Sequence, residues 1–135
     1  MSLIKWRESF NTGVQQFDNE HRKIVELVDI MFYAIRDKSD LGVVAKASAE
    51  LVAYAKEHFV HEEQAMEAVA YPNLESHKNE HALLRSKAEQ FNSRIEGKDI
   101  EAATEFYRFL RDWLTNHIQI VDQAYGGALK KWSGF

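Results

Sequence analysis

Histidines and carboxylates recur along this chain at spacings that can bring them to one point. His58 and Glu62 are four residues apart, as are His77 and His81, while His21 stands alone upstream and His117 precedes Asp122 by five. On a helix, residues four apart share a face about one turn from each other, so each pair can converge on a common centre. Imidazole nitrogen with carboxylate oxygen is the donor mixture that suits iron, manganese or zinc in higher coordination. The chain has no cysteine, which removes thiolate ligands, disulfides and cysteine nucleophiles together. A closed structural zinc site takes four ligands, and seven candidates exceed it. Two metal ions sharing carboxylates are the natural count.

These residues must be positioned by helices, because they lie on apolar stripes of period 3.6. The first stripe runs His21, Ile24, Val28, Met31 and Ile35; the second Val44, Leu51, His58, Glu62 and Met66; the third Leu74, His77, His81, Leu84, Ala88 and Ile95; the fourth Ala103, Phe106, Leu110, Leu114 and His117. Helices are expected at about 19–37, 41–66, 74–96 and 99–121, with Asp18 or Asn19 capping the first, Pro72 following the second and Gly97 closing the third. Residues 1–18 carry Trp6, Phe10 and Phe17 without a sustained period and read as an extended arm. Residues 122–135 hold the Gly126-Gly127 break and read as a tail or short helix. Short connections make neighbouring helices antiparallel. The expected architecture is all-α: one domain over 1–135, an up-down-up-down antiparallel four-helix bundle with an N-terminal arm and a short C-terminal helix or tail.

Polar groups on such stripes are costly unless something satisfies them, and coordination does so most completely. His61 is the internal control. It lies about 60° round the helix from His58, beside Glu63 and Gln64, and is assigned to the surface. Glu20, Glu57, Glu63 and Glu80 go to solvated faces by the same test. The pair His117 and Asp122 breaks the pattern, since five residues carry the second side chain about 140° away on a regular α-helix. Either the fourth helix ends or loosens there, or a π-bulge absorbs one residue, as happens at functional sites. No histidine has a glutamate three residues before it, so the Glu-x-x-His pattern of ferritin-like oxidase centres is absent.

Composition narrows the partners. With 45% hydrophobic residues and a net charge of -4, the chain can bury a core and has no basic excess with which to hold nucleic acid. Its greasiest stretch is interrupted by Glu26 and Asp29, which argues against a membrane span. A soluble, cytoplasmic monomer is the expectation.

At this point the chain resembles the single-domain bacterial hemerythrins. The likeness is carried by the aromatic arm IKWRESFNTGVQQFD, the helix entry DNEH, and the segments HFVHEE, YPNLESHKNEH and WLTNHIQIVD. It implies that His77, His81 and His117 bind one iron, that His21 and His58 bind the other, and that Glu62 and Asp122 bridge the pair alongside an oxo or hydroxo group. The second iron is then one ligand short of octahedral. The resemblance implies that O2 binds reversibly there and is held as hydroperoxide, for transport, storage or scavenging, and that small anions such as azide compete for the position. It also implies that Phe59, Trp113, Leu114 and Ile118 wall the O2 pocket. Tyr71 and Tyr125 are candidate hydrogen-bond donors near the site. The competing functions are a di-iron peroxidase, a nitric oxide reductase and a sensor of O2 or iron.

Overall fold

A computed structural model of the chain describes Trp6, residues 8–37 and residues 40–129. After a 3-10 turn at Glu8–Phe10 come α1 (Gln15–Arg36), α2 (Leu41–Ala68), α3 (Leu74–Glu96) and α4 (Ile100–Asn116), then a π-helical turn at His117–Asp122 and the short α5 (Gln123–Gly126). No strand occurs among the described residues. Helices α1 and α3 each pack on both α2 and α4, closing a four-helix bundle. The outer parts of the arm and tail, residues 1–5, 7 and 130–135, lie outside the described residues.

The start of α1 corrects the expected boundary, because the helix begins at Gln15 and not after a cap at Asp18 or Asn19. Asp18 sits inside the first turn and reaches back. Its carboxylate accepts hydrogen bonds from the Thr12 N–H and hydroxyl, both at 2.7 Å, and from the Gly13 N–H at 3.3 Å. A carboxylate in the first turn that satisfies the donors of the preceding loop leaves the helix free to extend through it. Gly13 takes φ 88, a left-handed conformation open to glycine without cost, and the arm turns there. Upstream, Trp6 meets Phe10 edge-on and lies under the Arg22 guanidinium, 4.8 Å away.

Two helix ends close through a non-glycine residue. Ala70 (φ 54) and Lys98 (φ 67) take the left-handed conformation, and Gly97 does not. Behind each, an N–H returns to the carbonyl five residues earlier: Tyr71 to Met66 at 2.9 Å and Asp99 to Arg94 at 3.0 Å. These are Schellman closures whose cost falls on a Cβ. Ala70→Gly should stabilise the fold by about 1 kcal/mol at most, the relief of strain being partly offset by unfolded-chain entropy. Chemical denaturation at fixed metal content reads this directly.

The core divides in two. One apolar cluster, including Val28, Met31, Leu51, Ile95, Phe106 and Leu110, fills most of the bundle. A smaller one, built from Val14, Phe17, Ala65, Met66, Tyr71, Tyr125 and Leu129, closes the end at which the arm and α5 meet. Along α1 the order is Phe17, His21, Ile24; along α3 it is Leu74, His77, His81, Leu84. The polar residues therefore form a layer between two dry ones.

Candidate metal centre

All seven sequence candidates meet in that layer, each at most 4% exposed. Glu62 and Asp122 are the hubs. His58 Nε2 and His81 Nε2 lie 3.2 Å from Glu62 Oε1, and His77 Nε2 and His117 Nε2 lie 3.0 Å from Asp122 Oδ1. His21 Nε2 is 3.2 Å from Glu62 Oε2 and 3.1 Å from Asp122 Oδ2. The donor atoms fall into two groups sharing Glu62: one with His77, His81, His117 and Asp122, the other with His21 and His58.

Several of these atoms are close without being bonded to one another. The Nε2 atoms of His58, His77, His81 and His117, with Glu62 Oε1 and both Asp122 oxygens, are buried and make no hydrogen bond. In an apolar surrounding each such group costs about 1 to 3 kcal/mol, so nitrogen and oxygen lone pairs directed at shared points call for a cation. The spacing agrees. Two donors at right angles on a metal with bonds of roughly 2.1 Å lie about 3 Å apart, which matches the separations above. The donor set fits metal ions held by nitrogen and oxygen.

The awkward spacing of His117 and Asp122 is resolved by the backbone. The π-helical turn spans the two residues and nothing more, and its i to i+5 bonding returns both side chains to one face. Sequence spacing demanded a disruption there; the fold supplies a wider turn in place of a helix end. Tyr125, one turn on in α5, donates its hydroxyl to Glu62 Oε2 at 2.5 Å. Burial pushes the Tyr125 phenol well above its usual range, and the neighbouring carboxylates add to this. The proton stays on the oxygen and the donor role is secured. Tyr71, the other candidate donor, packs in the small apolar cluster with Phe17, Met66 and Leu129.

Three glutamates assigned to solvated faces are corrected by the structure. The Nδ1–H of His58 donates to Glu20 Oε1 at 2.6 Å, and that of His81 to Glu63 Oε2 at 3.1 Å. Glu80 Oε2 stands 3.1 Å from His117 Nδ1. Each glutamate is adjacent in sequence to a site residue, which puts it about 100° round its helix. That is the edge of the stripe, where a long side chain reaches the next helix; Glu57 alone of the four stays exposed. A proton held on Nδ1 leaves the Nε2 lone pair facing inward. Glu20 also receives His61 Nδ1 at 2.7 Å, so His61 sits outside the cluster but touches its support. Glu20→Ala should weaken metal retention about 10- to 100-fold while Glu57→Ala leaves it unchanged, as competition with a chelator measures.

In the metal-free chain, protons take the place of metal. Burial pushes the His21 imidazolium down, but the Asp122 and Glu62 carboxylates outweigh it and the group is raised from 6.5 to about 10. His81 is raised to about 9 against the same burial by Glu62 and Glu63. Burial raises Glu62 and its histidine neighbours more than reverse this, holding it well below the usual carboxylate range. A group raised on folding stabilises fully below its unfolded value and loses that contribution as pH climbs through the folded one. The metal-free protein should therefore lose stability between pH 6.5 and about 10. The loaded protein, its imidazoles already neutral, should not. Thermal unfolding with and without chelator across that range tests the sign.

The expected pocket residues surround the layer on one side. The Phe59 ring stacks on His81 at 4.1 Å and the Trp113 ring on His117 at 4.3 Å, while Leu114 and Ile118 are buried. Ile24 lies near two of them, lining an apolar cavity together with Phe59 and Leu114. It reads as ordinary core in sequence, and its signal is the position one turn after His21.

Comparison with known proteins agrees with this geometry. The Hemerythrin HHE cation binding domain matches residues 12–129. Bacteriohemerythrin of Pseudomonas paraeruginosa is 33% identical over 131 residues, covering 96% of this chain and 84% of its own. Bacteriohemerythrin of Methylococcus capsulatus is 32% identical over 132 residues, covering 96% and 98%. Among solved structures, wild-type hemerythrin superposes with a TM-score of 0.88 at 29% identity, over 95% of this chain and 98% of that one. This chain belongs to the hemerythrin family, which is known for O2 binding with a di-iron site, and its buried His, Glu and Asp cluster fits a metal site.

Proposed function

We propose that the chain binds O2 reversibly at a pair of irons, for delivery, storage or scavenging. His77, His81 and His117 would hold one iron and His21 and His58 the other, with Glu62 and Asp122 bridging and an oxo or hydroxo group completing the core. The observation that carries this reading is the unequal division of the imidazoles, three in one donor group and two in the other, about a shared Glu62. With fewer donors from the chain, the second group would leave a coordination position for an outside ligand. When bound, such a pair supplies reversible two-electron binding of O2. The residues of the chain do the rest. Tyr125 fixes one carboxylate, Glu20 and Glu63 orient two imidazoles, and the apolar clusters on either side keep water away from whatever occupies the open position.

The test is metal analysis joined to a spectrum taken without air, in air, and after O2 is removed. About two irons per chain and a spectral change that reverses are expected; azide should block the change by taking the same position. One tetrahedral zinc in a fully O2-responsive protein would overturn the two-iron assignment. Sustained turnover of peroxide or nitric oxide, with no reversible O2 spectrum, would replace binding with catalysis. No described helix is long and apolar enough to cross a membrane.

A further inference from the structure

Bounded on one side by Leu114 and Phe59, the bundle contains a cavity of about 20 Å3 lined by residues of all four long helices. Its body is lined by Leu51, Val52, Ala88, Phe106 and Leu110, one to three helical turns from the nearest ligand on each helix. Its outer wall includes Lys56 and Arg85. The Lys56 ammonium is tied across the helix pair to Glu89 at 2.5 Å, so that side chain spans the mouth with its charge at the surface and its carbon stem inward.

Size and lining together select an occupant. Room for one water-sized molecule requires roughly 10 to 15 Å3, so the cavity admits a single small molecule. Water there would need two to four polar partners, and none of the five body residues offers a side-chain donor or acceptor. An anion would lose its hydration without compensation. A neutral diatomic gas loses almost nothing on entering. We propose that this cavity is a docking site for one apolar gas molecule, O2 in the reading above, staged between the α2–α3 surface and the metal layer. Leu114 and Phe59 form the partition, since they line the cavity and also stand beside His117 and His58. Ala55 and Ala88 are the small side chains in the wall, and Ala88, beside Leu51 and Leu110, sets the room in the body of the cavity. The assignment of the gas as O2 rests on the proposed function; the cavity's preference for apolar over polar occupants does not.

Xenon is the probe, because it is neutral, apolar and visible both in pressurised crystals and by NMR of the gas. Iron-loaded protein should take up one xenon between Leu51, Ala88 and Leu110. Ala88→Leu should fill the space and abolish that uptake, keep its iron, and slow O2 association severalfold, with azide binding from the aqueous side unchanged. Leu110→Ala, which enlarges the cavity, should retain xenon and serves if Ala88→Leu does not fold. An absence of xenon from the parent protein, or unchanged O2 association in an iron-loaded Ala88→Leu variant that has lost xenon, overturns the proposal. If xenon binds the parent and is lost on filling the cavity, yet no O2 is taken up at all, the apolar-gas site stands and the O2-binding function fails.

Discussion

Glu62→Ala is expected to abolish loading of both metal positions. Glu62 is the shared member of the two donor groups, fully buried, and its oxygens approach His21, His58 and His81 at 3.2 Å. Its loss also strips Tyr125 of the acceptor for its hydroxyl. Removing one partner from a buried charged cluster leaves the others unpaired, at a cost of about 3 to 5 kcal/mol. The variant should be isolated with little iron and a lowered unfolding midpoint. His61→Ala, altering a residue outside both donor groups, should retain near-parent iron content. Iron analysis of the two purified variants side by side decides the matter: equal iron in both would show that Glu62 bridges nothing.

Leu114→Ala should leave both metals bound yet shorten the life of the oxygenated form. Leu114 is 4% exposed, lies in α4 one turn before His117 and Ile118, and lines the apolar cavity. Truncation deletes packed carbon and leaves a void, costing roughly 2 to 5 kcal/mol of stability. The void opens beside the carboxylates and imidazoles of the site, so unlike the distal cavity it gives entering water polar partners. Autoxidation under air should accelerate and azide should bind faster. Stopped-flow mixing of the reduced protein with O2, followed by the decay of the oxygenated spectrum, measures both. Unchanged decay and unchanged azide kinetics would remove Leu114 from the wall of the site.

How much of this was legible from residues alone follows from which interactions are local. The four stripes were readable because a helix imposes its period on whichever residues must be buried, and the seven polar interruptions were readable because nothing else on a stripe tolerates burial. The five-residue gap from His117 to Asp122 even required a local break in the α-helix. Sequence left open whether that break would be an end or a wider turn, and the π-helical turn across just those residues is the fold's answer.

The support of the site was another matter. Glu20, Glu63 and Glu80 are polar, adjacent to ligand candidates and indistinguishable in sequence from solvated charge such as Glu57. Only packing of neighbouring helices brings them to His58, His81 and His117. The same holds for Asp18, whose carboxylate serves the arm behind it and not the helix ahead. The apolar cavity beside Leu114 likewise exists only where four stripes meet. Sequence by itself determined which side chains had to be buried together, since periodicity and the cost of burying polar groups act along one helix at a time. Which atoms of those side chains face each other, and which long side chains at the stripe edges reach across to hold them, depends on the rotation and offset of one helix against the next. Those quantities are set by the tertiary packing of side chains far apart in the chain.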